Sequence, residues 1–401
     1  MKQKILATAV VLVMAGFAVT ATAQNKYGPG VSDTEIKLGS TGPYSGPVSM
    51  ASTVTKSIAA YMDKVNAEHG GVNGRKINLI TADDGYSPPR TVETTRKLVE
   101  QDNVLFMVDS VGTPTQLAVR QYLNDRKVPQ LFPATGAAPL FDVQKSPWTV
   151  GFAPSNYSEG QLVGKYASKT FPGAKIAVLY QNDDLGKDYL RGAKEMMTNG
   201  ASIVAEVSFE VSDPTVDSQI VTLQSSGATV LFAFATQKAA AQSIRKSAEI
   251  GWKPKIFIPS IVSSISQVLQ PAGLENSKGV MTATYVKDPT SPKWADDPDV
   301  KEFVAWVKKY NTAVEVRDSF AASGGYMVGI LTEKILKAAG NDLTRENILK
   351  EATNLHNVAV PMLLPGITVS TSPTDHRSIK QMQFEYFDGA NWVLTGEVIS
   401  D

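Results

Sequence analysis

The chain has 401 residues, with 39 basic and 39 acidic side chains, a formal charge of zero, and no cysteine. A balanced chain without blocks of like charge offers nothing to attract nucleic acid. The missing thiols exclude disulfides, thiolate metal sites and a cysteine nucleophile, and the length predicts two domains.

The first residues, Met1-Lys2-Gln3-Lys4, are basic, and 5–19 form an apolar run shorter than the about 20 residues that span a bilayer. Ala21-Thr22-Ala23 then supplies small residues for cleavage. This pattern predicts a secretory signal peptide over 1–23, cleaved near Ala23, and an exported, periplasmic chain beginning at Gln24. No later segment has the length of uninterrupted apolar residues that a membrane helix needs.

From there, short β-like runs alternate with amphipathic helical stretches, the pattern of an α/β fold with parallel sheets. The first unit is a strand over 35–39, a turn over 40–46 and a helix near 48–68; a strand over 76–82 ends in Asp83-Asp84, and Pro88-Pro89 opens the next helix. Residues 104–108 and 130–132 read as strands and 117–123 as helical. The series restarts near Ser155, with strands at 175–180, 203–209, 229–234 and 255–258 between helices near 185–197, 216–223 and 237–248. Helical spacing returns after Val300 and over 320–338, and 380–387 with 392–398 alternate around Asp388-Gly389 as a hairpin.

The most informative segment is 104–136. Both its strands run into turns rich in small and hydroxyl residues, Val111-Gly112-Thr113 and Ala134-Thr135-Gly136. Open parallel sheets bind ligands beyond the carboxyl ends of their strands, where backbone N–H groups and helix N-termini favour an anionic oxygen. Two such turns would seat a carboxylate without any charged side chain. Catalytic patterns are missing: no HExxH, GxSxG or GxxxxGK[ST] occurs, and His69, His356 and His376 lie far apart in polar settings that predict surface or loop positions. Asp83-Asp84 and Asp183-Asp184 suit turns and helix caps better than acid–base pairs. All five tryptophans read as packing residues.

Four stretches together resemble the periplasmic solute-binding proteins of ABC importers, of the branched-chain amino acid (Leu/Ile/Val) type. They are Gly42-Pro43-Tyr44-Ser45-Gly46, then Gly70 to Ile77 with Asp83-Asp84, the 104–136 segment, and Ile176 to Lys187. The resemblance implies a type I two-lobed α/β fold, each lobe a mainly parallel sheet flanked by helices, joined by a three-segment hinge. It places lobe one at 24–150 plus 284–366 and lobe two at 151–283 plus 367–401. It implies a ligand buried by lobe closure, permease and ATPase subunits as partners, no cofactor or metal, and a monomer as sufficient.

In amino-acid-binding members the two turns hold the ligand carboxylate. They correspond here to Val111, Gly112 and Thr113 and to Ala134, Thr135 and Gly136, with Gly112 standing where a hydroxyl residue is usual. The acid that meets the α-ammonium falls at Ile261 or Val262, and a stacking tyrosine appears as Leu185, just after Asp183. Burying an ammonium without a counter-charge costs several kcal/mol. The resemblance therefore narrows to the subgroup that binds aromatic acids such as benzoates and phenylpropanoids, with Tyr44, Met50, Leu185, Ile261 and Phe320 around an apolar body. The alternatives are an amino-acid-binding protein of the same class, a sensing domain for a signalling partner, and an exported hydrolase using Ser45 or Thr113, which no nearby histidine would activate.

Overall fold

The computed structural model describes residues 25–316 and 319–400, the side chains of 319–321 excepted. The expected signal peptide and the Phe320 side chain thus lie outside the described residues.

The first half runs β1 (Lys26–Tyr27), β2 (Glu35–Gly42), α1 (Ser52–His69), β3 (Lys76–Asp83), α2 (Pro88–Glu100), β4 (Met107–Val108), α3 (Thr113–Asp125), β5 (Gln130–Leu131) and β6 (Thr149–Val150). Then follow α4 (Asn156–Thr170), β7 (Lys175–Gln181), α5 (Asp184–Glu195), β8 (Ser202–Phe209), α6 (Asp217–Gln224), β9 (Val230–Phe234), α7 (Gln237–Glu249), β10 (Lys255–Phe257) and the short α8 (Gln270–Ala272). The chain ends with β11 (Met281–Thr284), α9 (Pro298–Tyr310), α10 (Ser319–Ala339), β12 (Asp342–Leu343), α11 (Arg345–Ala352), β13 (Gln381–Phe387) and β14 (Trp392–Ser400).

Two main sheets form. One is wholly parallel, in the order β3-β2-β4-β5-β6. The other runs β14-β13-β11-β10-β9-β7-β8, parallel from β11 to β8, with β13 antiparallel to both its neighbours. Helices flank the parallel strands, so central ones are apolar without alternation; every residue of Val230–Phe234 is buried. Helices start where the sequence allows: Pro88 fills a first-turn position whose N–H has no helical partner, and Thr91, Thr95, Leu98 and Val99 bury one face of α2.

Two expectations need correction. Residues 104–106 make only single bonds to the sheet, Leu105 N–H to the Lys37 carbonyl and Phe106 O from Gly39 N–H, so regular pairing is confined to Met107–Val108. His376 is no surface residue: its ring lies buried, Nδ1 2.8 Å from the Thr149 carbonyl, because 376–378 run alongside the end of β6. The tryptophans pack as expected where Trp306 and Trp392 are buried and Trp252 and Trp294 lie half-buried against the core, while Trp148 is half-buried outside those clusters.

Candidate functional site

A cavity of about 100 Å³ lies at the carboxyl ends of both sheets. Nearly every parallel strand delivers residues to it just past its last ladder bond: Tyr86 after β3, Asp109 to Thr113 after β4, Phe132 to Gly136 after β5, and Phe152, Ala153 and Asn156 after β6. From the second sheet come Leu185 after β7, Thr236 and Gln237 after β9, Ile261 after β10 and Tyr285 after β11. The topology alone puts the site here, because strand ends are where turns leave backbone groups and side chains free to meet a ligand.

Three successive strand ends share an unusual backbone. Tyr86, Asp109 and Phe132 have φ of 61°, 51° and 53°. Bulky residues rarely enter this left-handed region, at a cost of about 1–3 kcal/mol each. All three line the cavity. Gly112 goes further, at φ 110° and ψ 143°, a conformation nearly confined to glycine. A Cβ there would stand 2.5 Å from Thr115 Oγ1 and 2.6 Å from the Tyr86 ring. Tyr86 thus occupies the space that a larger residue at 112 would take, and its hydroxyl faces the Thr113 N–H and the Gln181 amide. Burial, first of all, pushes that phenol well above its usual range, so it stays neutral.

The Thr113 and Thr135 hydroxyls join the two turns at 2.6 Å, and Thr135 Oγ1 also accepts the Ala137 N–H at 3.1 Å. Val111 and Ala134 pair as an isolated parallel bridge. Four helices start at the cavity: α3 with Thr113, α4 with Asn156, α5 with Leu185 in its first turn and α7 with Gln237. Among the described residues the lining holds no lysine, arginine or histidine, and its one acid is Asp109. Burial pushes the Asp109 carboxyl well above the usual carboxylate range. Glu159, one turn along α4 from Asn156, lies behind the wall: it accepts Ser260 N–H at 2.6 Å, Ser260 Oγ at 2.8 Å and Tyr189 Oη at 2.9 Å. Burial raises it to about 7, against the pull of those three donors.

Residues 35–390 match the family described as periplasmic binding protein. The chain belongs to that family. It resembles a Leu/Ile/Val-binding protein homolog 7 of Brucella abortus (strain 2308), 23% identical over 327 residues, covering 79% of this chain and 80% of the relative. A branched chain amino acid ABC transporter protein from Thermus thermophilus with bound valine shares the fold at TM-score 0.83 and 16% identity, covering 92% of this chain and 98% of that one. So does an ABC transporter solute binding protein from R. palustris in complex with benzoate, at TM-score 0.77 and 21% identity, with 92% and 98% covered. The fold is the type I, two-lobed form, and a periplasmic binding protein holds its solute without turning it over.

Within this periplasmic binding protein, the cavity gathers Val111, Gly112, Thr113, Ala134, Thr135, Gly136, Leu185 and Ile261 of the expected residues. Tyr44, Met50, Asp183 and Val262 are not among its lining. The chain folds back tightly at Tyr44, whose N–H meets the Gly42 carbonyl, and the neighbouring Ser45 is tied to Asp83. Val48, Ala51 and Val54, spaced by three, face the cavity in place of the half-buried Met50. Asp183 caps α5, accepting the Leu185 and Gly186 N–H groups. The 3₁₀ turn Ser260–Val262 points successive residues different ways, so Val262 enters the core cluster that also holds Val268, Phe387 and Trp392 while Ile261 reaches the cavity. Asp83 and Asp84 serve turns: Asp83 accepts the Ser45 and Gly85 N–H groups, Asp84 that of Tyr86 and the Thr91 hydroxyl.

Sequence reasoning missed Tyr86, Asp109, Phe132, Phe152, Asn156, Thr236, Gln237 and Tyr285. The signal for them was positional: each follows the carboxyl end of a parallel strand, and the rule applied to 113 and 135 extends to all of them.

Proposed function

We propose that this protein captures a small carboxylate with an apolar or aromatic body and presents it to the permease and ATPase subunits of an ABC importer. The observation that carries this reading is the convergence of four helix N-termini on a cavity that, among the described residues, has no basic side chain. Each N-terminus acts as roughly half a positive charge, and together they suit one anionic group held by N–H and hydroxyl donors. Leu185 and Ile261 on the second sheet's side are apolar, and among the described residues that side offers Thr236, Gln237 and Tyr285 but no carboxylate to balance an α-ammonium. A volume of about 100 Å³ is of the order of the roughly 150 Å³ that admits benzene, which favours a compact body over a long acyl chain. The benzoate complex of the R. palustris neighbour supports the same reading.

A second reading, an α-amino acid ligand, rests on Asp109, the one acid in the lining among the described residues. A thermal-shift screen decides between them, pairing each aromatic acid with the α-amino acid of similar shape, since a bound ligand raises the melting temperature. Shifts with benzoates or phenylpropanoates and none with leucine or phenylalanine are expected; the reverse would discard the carboxylate reading. Thr135→Val removes a hydroxyl from the carboxylate seat and is expected to weaken binding by about 1–3 kcal/mol, measured by calorimetry.

The same reading includes closure of lobe one, 24–150 plus 284–366, on lobe two, 151–283 plus 367–401. The bridges Gly151 to Arg377 and Val286 to Leu363 support crossings at these boundaries. Closure then favours whichever ligand binds the closed form more tightly.

A further inference from the structure

Of the two helices that the second sheet brings to the cavity, α5 is capped and α7 is open. Asp183 accepts the Leu185 and Gly186 N–H groups at the start of α5. Thr236 holds the capping position of α7, a residue type that often takes a first-turn N–H, yet no side chain caps this helix. The Thr236 hydroxyl donates instead to Gln181 Oε1 at 3.1 Å, and the Gln181 amide donates to Asp183 Oδ2 at 2.5 Å. Ala240 N–H to the Thr236 carbonyl is the first helical bond, which leaves the N–H groups of 237–239 without a helical partner. No acidic side chain lies in that first turn.

A second observation concerns the side chain at the same helix start. Gln237 lines the cavity and is 8% exposed, and among the described residues nothing bonds its amide. Unlike Asp109 Oδ2 and Asn156 Nδ2, which protein seals off, this amide keeps accessible surface. The neighbouring Lys238 and Ala239 line a separate small pocket beside Pro47 and Val211. Largely buried amides are rarely unpaired, so an open one on a cavity marks a place where a ligand completes the bonding.

We propose that Gln237 is a specificity-determining residue: with the open start of α7 it donates to a neutral carbonyl oxygen on the ligand, set apart from the carboxylate held by the two turns. This rests on the carboxylate reading above and adds a second polar anchor, supplied by the other sheet. The amide and the first-turn N–H groups are donors, so the group they meet is an acceptor. The positive end of the helix opposes an ammonium. A second carboxylate would share a cavity that, among the described residues, has no basic side chain to balance two negative charges. A neutral carbonyl fits both limits. A plain apolar acid leaves the Gln237 amide unpaired, and sites built to hydrogen-bond a substrate group reject analogues that lack it.

The test is calorimetric titration of matched acids into the wild type, Gln237→Met and Gln237→Glu. Pentanoate is paired with 4-oxopentanoate and 4-ethylbenzoate with 4-acetylbenzoate, so that each pair differs by one carbonyl; benzoate and glutarate complete the set. In at least one pair the wild type is expected to bind the oxo acid about tenfold more tightly or better. Gln237→Met removes the donor, and Gln237→Glu, whose charge suits a helix start, replaces it with an acceptor. Both should bring the ratio toward one by weakening the oxo acid more than the plain acid. A smaller wild-type ratio in both pairs, or a ratio that survives both substitutions, overturns the inference and leaves the carboxylate reading standing. So does equal weakening of both members of a pair, which would put Gln237 at the carboxylate seat, and so does glutarate bound more tightly than 4-oxopentanoate, which would replace the neutral carbonyl with a second charge. Failure of every acid to bind, benzoate included, overturns both readings. The wild-type ratio decides the matter even if a variant does not fold.

Discussion

Gly112→Ala is expected to destabilise the protein by roughly 2–5 kcal/mol and to weaken ligand binding at least about tenfold. Two costs add at this position. The backbone at φ 110° and ψ 143° is strained for any residue with a side chain, and the new methyl would press on Thr115 Oγ1 and the Tyr86 ring. Relief requires the turn to shift, and the turn carries Thr113, whose hydroxyl is bonded to Thr135 across the seat. Urea unfolding should show a lower midpoint at unchanged slope. Gly74→Ala is the control: φ there is 78°, but a Cβ meets nothing within 4 Å, so it should lose only about 1 kcal/mol and bind normally. Equal effects of the two substitutions would show that strain alone, without the Tyr86 contact, governs position 112.

Glu159→Gln is expected to make the protein more stable at pH 8 and to leave it nearly unchanged at pH 4. The buried Glu159 carboxyl is raised from its ordinary 4.5 to about 7. Below 4.5 both the folded and the unfolded chain hold the proton. Between 4.5 and about 7 the unfolded chain has released it and the folded one keeps it, so stability falls as pH rises. Above 7 the folded side chain is ionised too, and the loss levels off at about 3 kcal/mol. Glutamine removes this dependence. Its carbonyl can accept the Ser260 N–H and its amide can donate to the Ser260 and Tyr189 hydroxyls, so the turn bearing Ile261 stays anchored. Denaturant titrations at pH 4, 6 and 8 read the effect; a gap between variant and wild type that does not widen with pH would place the titration elsewhere.

The alternating fold was legible because its strands are buried on both faces and its helices on one. Val230–Phe234 announces itself as an unbroken apolar run and α2 by Val92, Leu98 and Val99, while the threonines 91 and 95 that share its buried face carry no apolar signal. The turns at 112 and 135 were legible through small and hydroxyl residues, whose chemistry is local. Tyr86, Asp109 and Phe132 were not, since no propensity places tyrosine or phenylalanine in a left-handed backbone; the sheet ends and packing around them impose it. Val262 and Ile261 show a further limit. Adjacent apolar residues cannot be assigned to core or cavity until the 3₁₀ turn that separates them is known. Asp109 could be seen in the sequence as an acid after a strand, but its lack of a partner is a property of the packed structure.

The C-terminal strands β13 and β14 complete a sheet whose other members begin with β7, some two hundred residues earlier, and β13 seals β11 by four antiparallel pairs. The Trp392 indole N–H reaches back to the Ser263 carbonyl at 2.8 Å. Half of the molecule therefore cannot reach its final pairing until the last stretch has been synthesised. Contacts so distant along the chain make folding slow, and a chain that folds late stays threadable for longer.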